Sequence, residues 1–157
     1  MTITRILVPT DFSDDASAAL TYALGLALPF GAAVALLHVV EDPLAAGVWS
    51  SELYTAEIAG LQINLVRDAE QRLKEYAAEQ GGPITTEVRT GPAARVILDF
   101  AREQAFDLIV MGTHGRTGLA HVVMGSVAER VVRLAPCPVL TLRAETLTAA
   151  VAARSAS

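Results

Sequence analysis

Short strand-like runs alternate with segments of helical spacing along this chain, and this alternation limits the fold more than any other feature. The strand-like runs occupy residues 3–8, 33–40, 84–90, 107–112 and 138–143. Apolar residues in the segments between them recur at helical intervals, which indicates amphipathic helices. Strands that alternate with helices form a parallel sheet with both faces covered, because parallel strands need long crossover connections. The sequence therefore predicts an α/β fold, a three-layer open sandwich around a five-stranded parallel sheet.

Capping and turn residues predict where the helices begin and end. Ser13 is a suitable N-cap for the first helix, and Asp14 and Asp15 are favourable in its first turn. The turn at residues 81–83 is expected to end the second helix, and Pro92 to lie in the first turn of the third. The second helix is expected to bury one apolar stripe, formed by Tyr54, Ile58, Leu61, Leu65, Ala69 and Leu73.

One long apolar stretch needs a separate interpretation. Residues 18–40 contain no Asp, Glu, Lys or Arg and are long enough to cross a bilayer. Pro29 and Gly31 interrupt the stretch with a helix stop and a turn, which divides it into the end of a helix and a strand. We therefore expect no membrane span. The opening MTITRILVP also lacks the basic region and long apolar segment of a signal peptide, which predicts a cytoplasmic protein.

Composition excludes several classes of protein. Of the 157 residues, 52% are hydrophobic and 18% charged, so the chain is expected to fold. We expect one domain over residues 1–143 and a flexible tail over residues 144–157, which lack a core-forming pattern. The lone Cys137 cannot form an internal disulfide and is expected to be a buried structural thiol. A net charge of −5 without a basic run argues against a nucleic-acid partner.

The loop GTHGRTGLAHVVMGS, residues 112–126, is much longer than the usual connection of about 2–6 residues in α/β units. Gly112 and Gly115 allow the backbone to approach a ligand, and Gly125 with Ser126 precedes a helix whose N-terminus attracts anions. The same SVAE segment also fits a capping box, in which Ser126 and Glu129 satisfy the helix donors themselves. The residues alone leave a phosphate site and a simple capped turn both open.

Polar and glycine-rich residues follow three of the predicted strands. They are PTDFS after the first strand, residues 38–42 at the end of the second, and the long loop after the fourth. Ligands of open α/β sheets bind beyond the carboxyl ends of the strands, where the strand order reverses. If the first and fourth strands are neighbours, Thr10 and Asp11 face Gly112 and Thr113 across one crevice.

Four ordered blocks of the chain resemble the ATP-binding branch of the universal stress protein family. The loop has the family spacing G-x2-G-x9-G-[S/T], and it is surrounded by ILVPTDFS, LLHVV, DLIVMGTHGRTG and GSVAERVVRLAPCPVL. The resemblance covers residues 3–143. It implies a Rossmann-like fold, of the adenine nucleotide alpha hydrolase type, with strand order 3-2-1-4-5.

The resemblance also implies an ATP site. Asp11, with Pro9 and Thr10, would lie against the adenosine, and the backbone of Val39 would meet the adenine. Met111 and Gly112 would lie near the ribose.

The phosphates would lie at the other end of the same site. The residues that the resemblance places around them are Gly115, Gly125, Ser126 and Val127. Two loop side chains, His114 and Arg116, either contact the nucleotide or play no part in binding. The metal that accompanies ATP would be Mg²⁺ or Mn²⁺.

Competing families lack specific residues in this chain. No Gly-Lys-Ser/Thr of a P-loop exists, and no G-x-G-x-x-G follows the first strand. A response regulator would need an Asp after the third strand and a Lys after the fifth, where the chain has EVRTG and TLR. A flavin carrier would need more aromatic residues than the 5% present.

Two functional hypotheses of different class remain. In the first, the protein is an ATP-binding regulatory module whose state a partner protein recognises. In the second, it is a slow ATP hydrolase or an adenylyl or phosphoryl transferase that uses the same pocket. No carboxylate lies between Gly112 and Ser126, which favours binding over catalysis. The resemblance further suggests a homodimer, paired through the last strand at residues 138–143.

Overall fold

The computed structural model describes residues 2–41, 56–115 and 124–145, apart from the side chains of residues 56–59. Within that part of the chain, five parallel strands form one sheet in the order β3-β2-β1-β4-β5. The strands are β1 (Arg5–Thr10), β2 (Ala33–Val40), β3 (Ile84–Thr90), β4 (Leu108–Gly112) and β5 (Val139–Leu142). The helices are α1 (Asp14–Phe30), α2 (Ala56–Gln80), α3 (Ala93–Glu103) and α4 (Ser126–Leu134). Both the predicted fold class and the implied strand order are confirmed.

Helices cover both faces of the sheet. On one face, Ile6 and Val8 of β1 pack with Leu20 of α1 and Leu73 of α2. On the other face, Leu7 belongs to a second apolar cluster that includes side chains of α3 and α4. Alternate residues of the central strand therefore enter two separate cores, as expected for a sheet that is buried on both sides.

The predicted limits of β1 were wrong by two residues, because the strand spans residues 5–10 rather than 3–8. The Asp107 carboxylate accepts hydrogen bonds from Thr4 N at 2.8 Å, Thr4 Oγ1 at 2.7 Å and Arg5 N at 3.0 Å. These bonds hold the residue before the strand against the start of β4. At the other end, β1 continues until Thr10 pairs in register with His38.

The charge-free stretch forms the end of α1 and then β2, as predicted. Ser13 is the N-cap of α1, and its Oγ accepts a hydrogen bond from Ala16 N at 3.3 Å. Gly31 ends the helix in the left-handed conformation, with φ of 62°. None of the described helices combines the length and the apolar character that a membrane span requires. Pro92 is the N-cap of α3 and so lies one residue before the first turn in which it was predicted.

The predicted apolar stripe of α2 was partly wrong. Leu73 is fully buried, but Leu61 and Leu65 are 58% and 40% exposed. Residues spaced four apart rotate by about 40° per step around an α-helix, so Leu61 lies about 120° away from Leu73. Tyr54 and the side chain of Ile58 lie outside the described residues.

Two other predictions concern the C-terminal part of the chain. Cys137 is half-buried rather than buried, and desolvation raises the pKa of its thiol, with a smaller contribution from the charge of Asp107. A raised pKa is typical of an unreactive structural thiol. Most of the tail predicted over residues 144–157 lies outside the described residues, which end at Glu145.

Candidate functional site

The carboxyl ends of β1, β2 and β4 meet at one edge of the sheet, together with the start of α4. β1 and β4 are neighbours, as the predicted crevice required. From β1 the chain continues to β2 on one side, and β4 lies on the other side, so the strand order reverses between β1 and β4. This is the position at which open α/β sheets bind their ligands.

Pro9 lies where the backbone pairing of the two central strands ends. Thr4 O accepts from Ala33 N at 2.8 Å and Arg5 O accepts from Asp107 N at 3.0 Å, so successive residues of β1 face β2 and β4 in turn. On this alternation Pro9 faces β4, where it has no N–H to donate. The β1–β4 register pairs Ile6 with Leu108 and Leu7 with Ile109, whereas β1 continues along β2 to Thr10. The described pairing of β1 with β4 therefore ends at Leu7, before Pro9.

The turn after β1 presents Asp11 toward the long loop. Asp11 Oδ1 accepts a hydrogen bond from Ser13 N at 3.1 Å, and Thr10 Oγ1 accepts one from Phe12 N at 3.0 Å. A Cβ placed on Gly115 would lie 2.7 Å from Asp11 Oδ2. The carboxylate that the resemblance assigns to the nucleoside therefore lies directly beside the first turn of the loop.

Phe12 holds this turn in a strained conformation that the sequence reasoning missed. Its φ is 65°, a left-handed value that an aromatic residue rarely adopts. The Arg72 guanidinium lies 4.0 Å from the centre of its ring, and the rings of His38 and Tyr76 lie at 4.7 and 5.7 Å. His38 Nδ1 is also hydrogen-bonded to Thr10 O at 2.8 Å. These contacts offset a backbone strain of roughly 1–2 kcal/mol. The sequence around Phe12 does not predict them, because the contacting residues lie far away in the chain.

Gly112 is a glycine because α1 begins against it. A Cβ at this position would lie 2.8 Å from Asp15 Cβ, 2.9 Å from Asp15 C and 3.0 Å from Ala16 N. These neighbours are backbone or rigidly attached atoms, so no side-chain rotation relieves the clash. The first glycine of the loop motif thus has a packing role that does not depend on a ligand.

Asp15 is the second residue that the sequence reasoning missed, because it was assigned only a favourable charge in the first turn of α1. Its Oδ2 accepts from Thr113 Oγ1 and from His114 N, both at 3.1 Å, and its Oδ1 accepts from Ala144 N at 2.8 Å. Desolvation acts to raise the pKa of Asp15, but the hydrogen bonds from Ala144, Thr113 and His114 outweigh it and lower that pKa. The His114 ring lies within the same cluster, with Nδ1 at 3.0 Å from Thr113 Oγ1.

Helix α4 begins one residue earlier than the predicted capping box requires. Its N-cap is Gly125, and no side chain caps it within the described part of the chain. Gly125 N donates to Thr113 O at 2.8 Å, and Gly125 O accepts from Glu129 N at 2.9 Å. Ser126 is therefore the first helical residue, and the capping box formed by Ser126 and Glu129 was wrong. The N–H groups in the first turn of a helix have no acceptor within that helix, so those of α4 can donate to a group from outside it.

Most of the predicted site residues lie at this one edge. Val39 follows His38 in β2 and pairs in register with Arg89, and Met111 is buried in β4. Val127 lies in the first turn of α4 and packs against the second apolar cluster. Arg116, with the rest of residues 116–123, lies outside the described residues. Among the described residues, no group of three or more His, Cys, Asp and Glu side chains is arranged to hold a metal ion.

Comparison with known proteins gives one consistent family. A model of the universal stress protein family matches residues 2–143. A universal stress protein of Methanocaldococcus jannaschii is 40% identical over 146 residues, which cover 88% of this chain and 81% of that protein.

Solved structures share the fold. UspA from Lactobacillus plantarum superposes with a TM-score of 0.72 at 32% identity, covering 91% of this chain and 99% of that chain. A universal stress protein from Archaeoglobus fulgidus, solved in complex with dAMP, has a TM-score of 0.61 at 23% identity, covering 91% of this chain and 100% of that chain.

Proposed function

The chain belongs to the universal stress protein family, and on that premise we propose that it binds ATP and acts as a nucleotide-responsive module in a stress response. ATP would favour one arrangement of the long loop, and a protein partner would recognise that arrangement. The cytoplasmic location expected from the sequence stays a prediction.

The start of α4 is the observation that carries the proposal. A nine-residue helix begins at Ser126 with glycine at its N-cap, and within the described part of the chain no side chain caps it. The Gly125 amide is bonded to Thr113 O, so the helix start is held against the exit of β4. Peptide N–H groups and the helix dipole together bind phosphate without a basic side chain, which suits a chain with a net charge of −5.

The remaining contacts follow from the edge at which this helix begins. We propose that the adenosine lies against residues 9–11 and the backbone of Val39, with the ribose near Met111 and Gly112. The phosphates would extend past Gly115 toward residues 125–127, with His114 and Arg116 as neighbouring loop side chains. The dAMP bound by the A. fulgidus protein supports an adenine nucleotide as a ligand that this fold accommodates.

A divalent cation, Mg²⁺ or Mn²⁺, would neutralise part of the phosphate charge. Asp11 stays assigned to the adenosine, although its Oδ2 lies beside Gly115, and we propose no metal ligand from the protein. The Asp15 carboxylate is engaged by donors from Thr113, His114 and Ala144. This engagement favours a holding role for Asp15 over a role as a general base, and so favours binding over turnover.

The direct test is a thermal-shift titration of protein from which bound nucleotide has been stripped. At a ligand concentration of about a hundred times Kd, binding stabilises the folded state by roughly 2.7 kcal/mol. For a domain of this size, that corresponds to a rise in Tm of roughly 5–11 °C. We expect Mg-ATP to produce this rise and AMP to produce a smaller one. The absence of any shift with ATP, ADP and AMP would refute the proposal.

Gly115→Ala with Gly25→Ala as a matched control localises the site. Among the described residues, the atoms within 4 Å of the methyl group added at Gly115 belong to the Asp11 carboxyl group, and neither glycine has a left-handed φ. A Cβ at Gly25, within α1, has no heavy atom within 4 Å. We expect Gly115→Ala to reduce the ATP-induced shift and Gly25→Ala to retain it. Equal shifts in the two variants would place the nucleotide elsewhere.

The enzymatic alternative is decided by the same preparation. Purified protein is incubated with Mg-ATP for many hours, and the products are separated by chromatography. Recovery of unchanged ATP supports a binding module. ADP formation that disappears in Asp11→Asn would instead support a slow hydrolase in the same pocket.

We further propose a homodimer paired through β5, which lies at the edge of the sheet. Pro138 O and Leu142 O accept bonds from Ile109 N and Thr113 N, so the peptide groups of Val139 and Thr141 face the open edge. An unpaired edge strand is a surface that proteins usually cover. Val139→Pro removes an outward donor and should shift the protein toward monomer in light scattering, whereas Val139→Ala should not. A parent that is monomeric at micromolar concentration would contradict the proposal.

A further inference from the structure

Asp15 joins three separate parts of the chain through one carboxylate. The aspartate lies in the first turn of α1, its donors Thr113 and His114 follow β4, and its donor Ala144 follows β5. Its side chain is 17% exposed, so these bonds are partly shielded from water. Hydrogen bonds to a charged acceptor in such surroundings are stronger than those between neutral groups.

The connection continues from Asp15 to the start of α4. The hydroxyl group of Thr113 donates a hydrogen bond to Asp15. The carbonyl oxygen of Thr113 accepts a hydrogen bond from Gly125 N at 2.8 Å. Thr113 also donates its own N–H to Leu142 O at 2.9 Å. A continuous set of hydrogen bonds therefore runs from Ala144, through Asp15 and Thr113, to the helix start at which phosphate is proposed to bind.

We propose that Asp15 is a positioning residue that couples nucleotide binding at the long loop to the segment that follows β5. The inference rests on the proposed ATP site. Nucleotide bound beside Gly112, Gly115 and the start of α4 would favour the arrangement in which Thr113 and His114 donate to Asp15, and the same arrangement retains Ala144. Coupling of this kind is reciprocal, so the bond between Ala144 and Asp15 would in turn favour nucleotide binding. The contact between Ala144 and Asp15 would then change with the occupancy of the proposed site.

Trypsin gives a local readout, because the Arg143–Ala144 bond is adjacent to the Asp15 contact. The rate at which the fragment 1–143 appears is measured by intact-mass spectrometry, with and without Mg-ATP. Cleavage after Arg102, within α3, serves as the internal measure of global unfolding. Proteolysis under these conditions follows the population of the locally opened state.

Asp15→Asn is compared with Asp14→Asn, which removes the same charge from an exposed position in the same helical turn. We expect Asp15→Asn to accelerate cleavage at Arg143 about tenfold, with little change at Arg102, because a charged acceptor of three hydrogen bonds is lost. We expect Asp14→Asn to behave like the parent. Mg-ATP should slow cleavage at Arg143 in the parent and in Asp14→Asn, but not in Asp15→Asn.

The outcomes separate this inference from the proposed function. A parent with neither a Tm shift nor protection by Mg-ATP refutes the proposed function. A parent with both, together with an Asp15→Asn variant that keeps the protection or is cleaved no faster than Asp14→Asn, refutes the coupling alone. If Asp15→Asn is cleaved equally fast at both sites, Thr113→Val takes its place, since it removes one donor to Asp15 and leaves Ala144 in contact. Retained ATP protection in Thr113→Val then overturns the inference, and reduced protection supports it.

Discussion

Gly112→Ala is the sharpest test of the packing at the carboxyl edge of the sheet. The new methyl carbon would lie 2.8–3.0 Å from three atoms of Asp15 and Ala16, all of them backbone or Cβ atoms. Relief requires β4 and the start of α1 to move apart, and overpacking of this kind costs roughly 1–3 kcal/mol. For a domain of about this size, the expected fall in Tm is roughly 2–12 °C. We expect the fall in Tm to lie in the upper half of this range, because the same movement weakens the hydrogen bonds of Asp15.

Calorimetry of nucleotide-free protein at one concentration checks this prediction, with Gly115→Ala as the matched control. Among the described residues, a Cβ at Gly115 would meet the far end of one side chain, the Asp11 carboxylate, and no backbone atom, so the substitution is expected to change stability by less than about 1 kcal/mol. Gly112→Ala should therefore melt well below Gly115→Ala. If the two variants have the same Tm, the close approach of α1 is not the reason for glycine at position 112.

Three further predictions concern stability. Leu73→Ala, at a fully buried position, should lower the free energy of unfolding in urea by about 2–5 kcal/mol; Leu65→Ala should lower it by about 0.5 kcal/mol, and equal losses would contradict the burial of α2. Because the pKa of Asp15 is lowered in the folded state, its contribution to stability is present above about pH 4 and is lost as the pH falls through that pKa. Urea unfolding from pH 6 to 2 should therefore show a smaller loss of stability with acid in Asp15→Asn than in the parent. An equal loss in the two proteins would refute this prediction. Arg72→Ala should lower the free energy of unfolding by about 0.5–1 kcal/mol through loss of the Phe12 contact, whereas Lys74→Ala should leave it unchanged. Equal losses of stability in the two variants, measured by thermal unfolding, would contradict a special role for Arg72.

Elements bounded by strong local signals could be predicted from the sequence. β2 and β3 span residues 33–40 and 84–90, as predicted, since glycine turns precede both runs. Ser13 caps α1 as expected, because its hydroxyl group acts within its own turn. The strand order came from the family resemblance and not from the residue pattern, because parallel strands with crossover helices leave the choice of neighbour open.

Features that depend on contacts between distant residues could not be predicted. Serine is a better N-cap than most residues, yet Gly125, whose N–H donates to Thr113 O, is the N-cap of α4, and Ser126 is the first helical residue. Asp15 was interpreted as a helix-terminal charge because its donors at Thr113, His114 and Ala144 lie about a hundred or more residues away in the chain. The left-handed turn at Phe12 likewise depends on Arg72 of α2.

Pro9 creates a trade-off between the stability of the sheet and the space available to a ligand. Proline normally argues against a central strand, and β1 is the middle strand of five. A residue with an N–H at this position could donate to β4 and add about 0.5–1.5 kcal/mol of stability. The same bond would extend the pairing of β1 and β4 toward their carboxyl ends, beside which a nucleotide is proposed to lie. Stabilising designs for this chain should therefore leave Pro9 unchanged, because the most stable version of its sheet would be the one least able to admit a ligand.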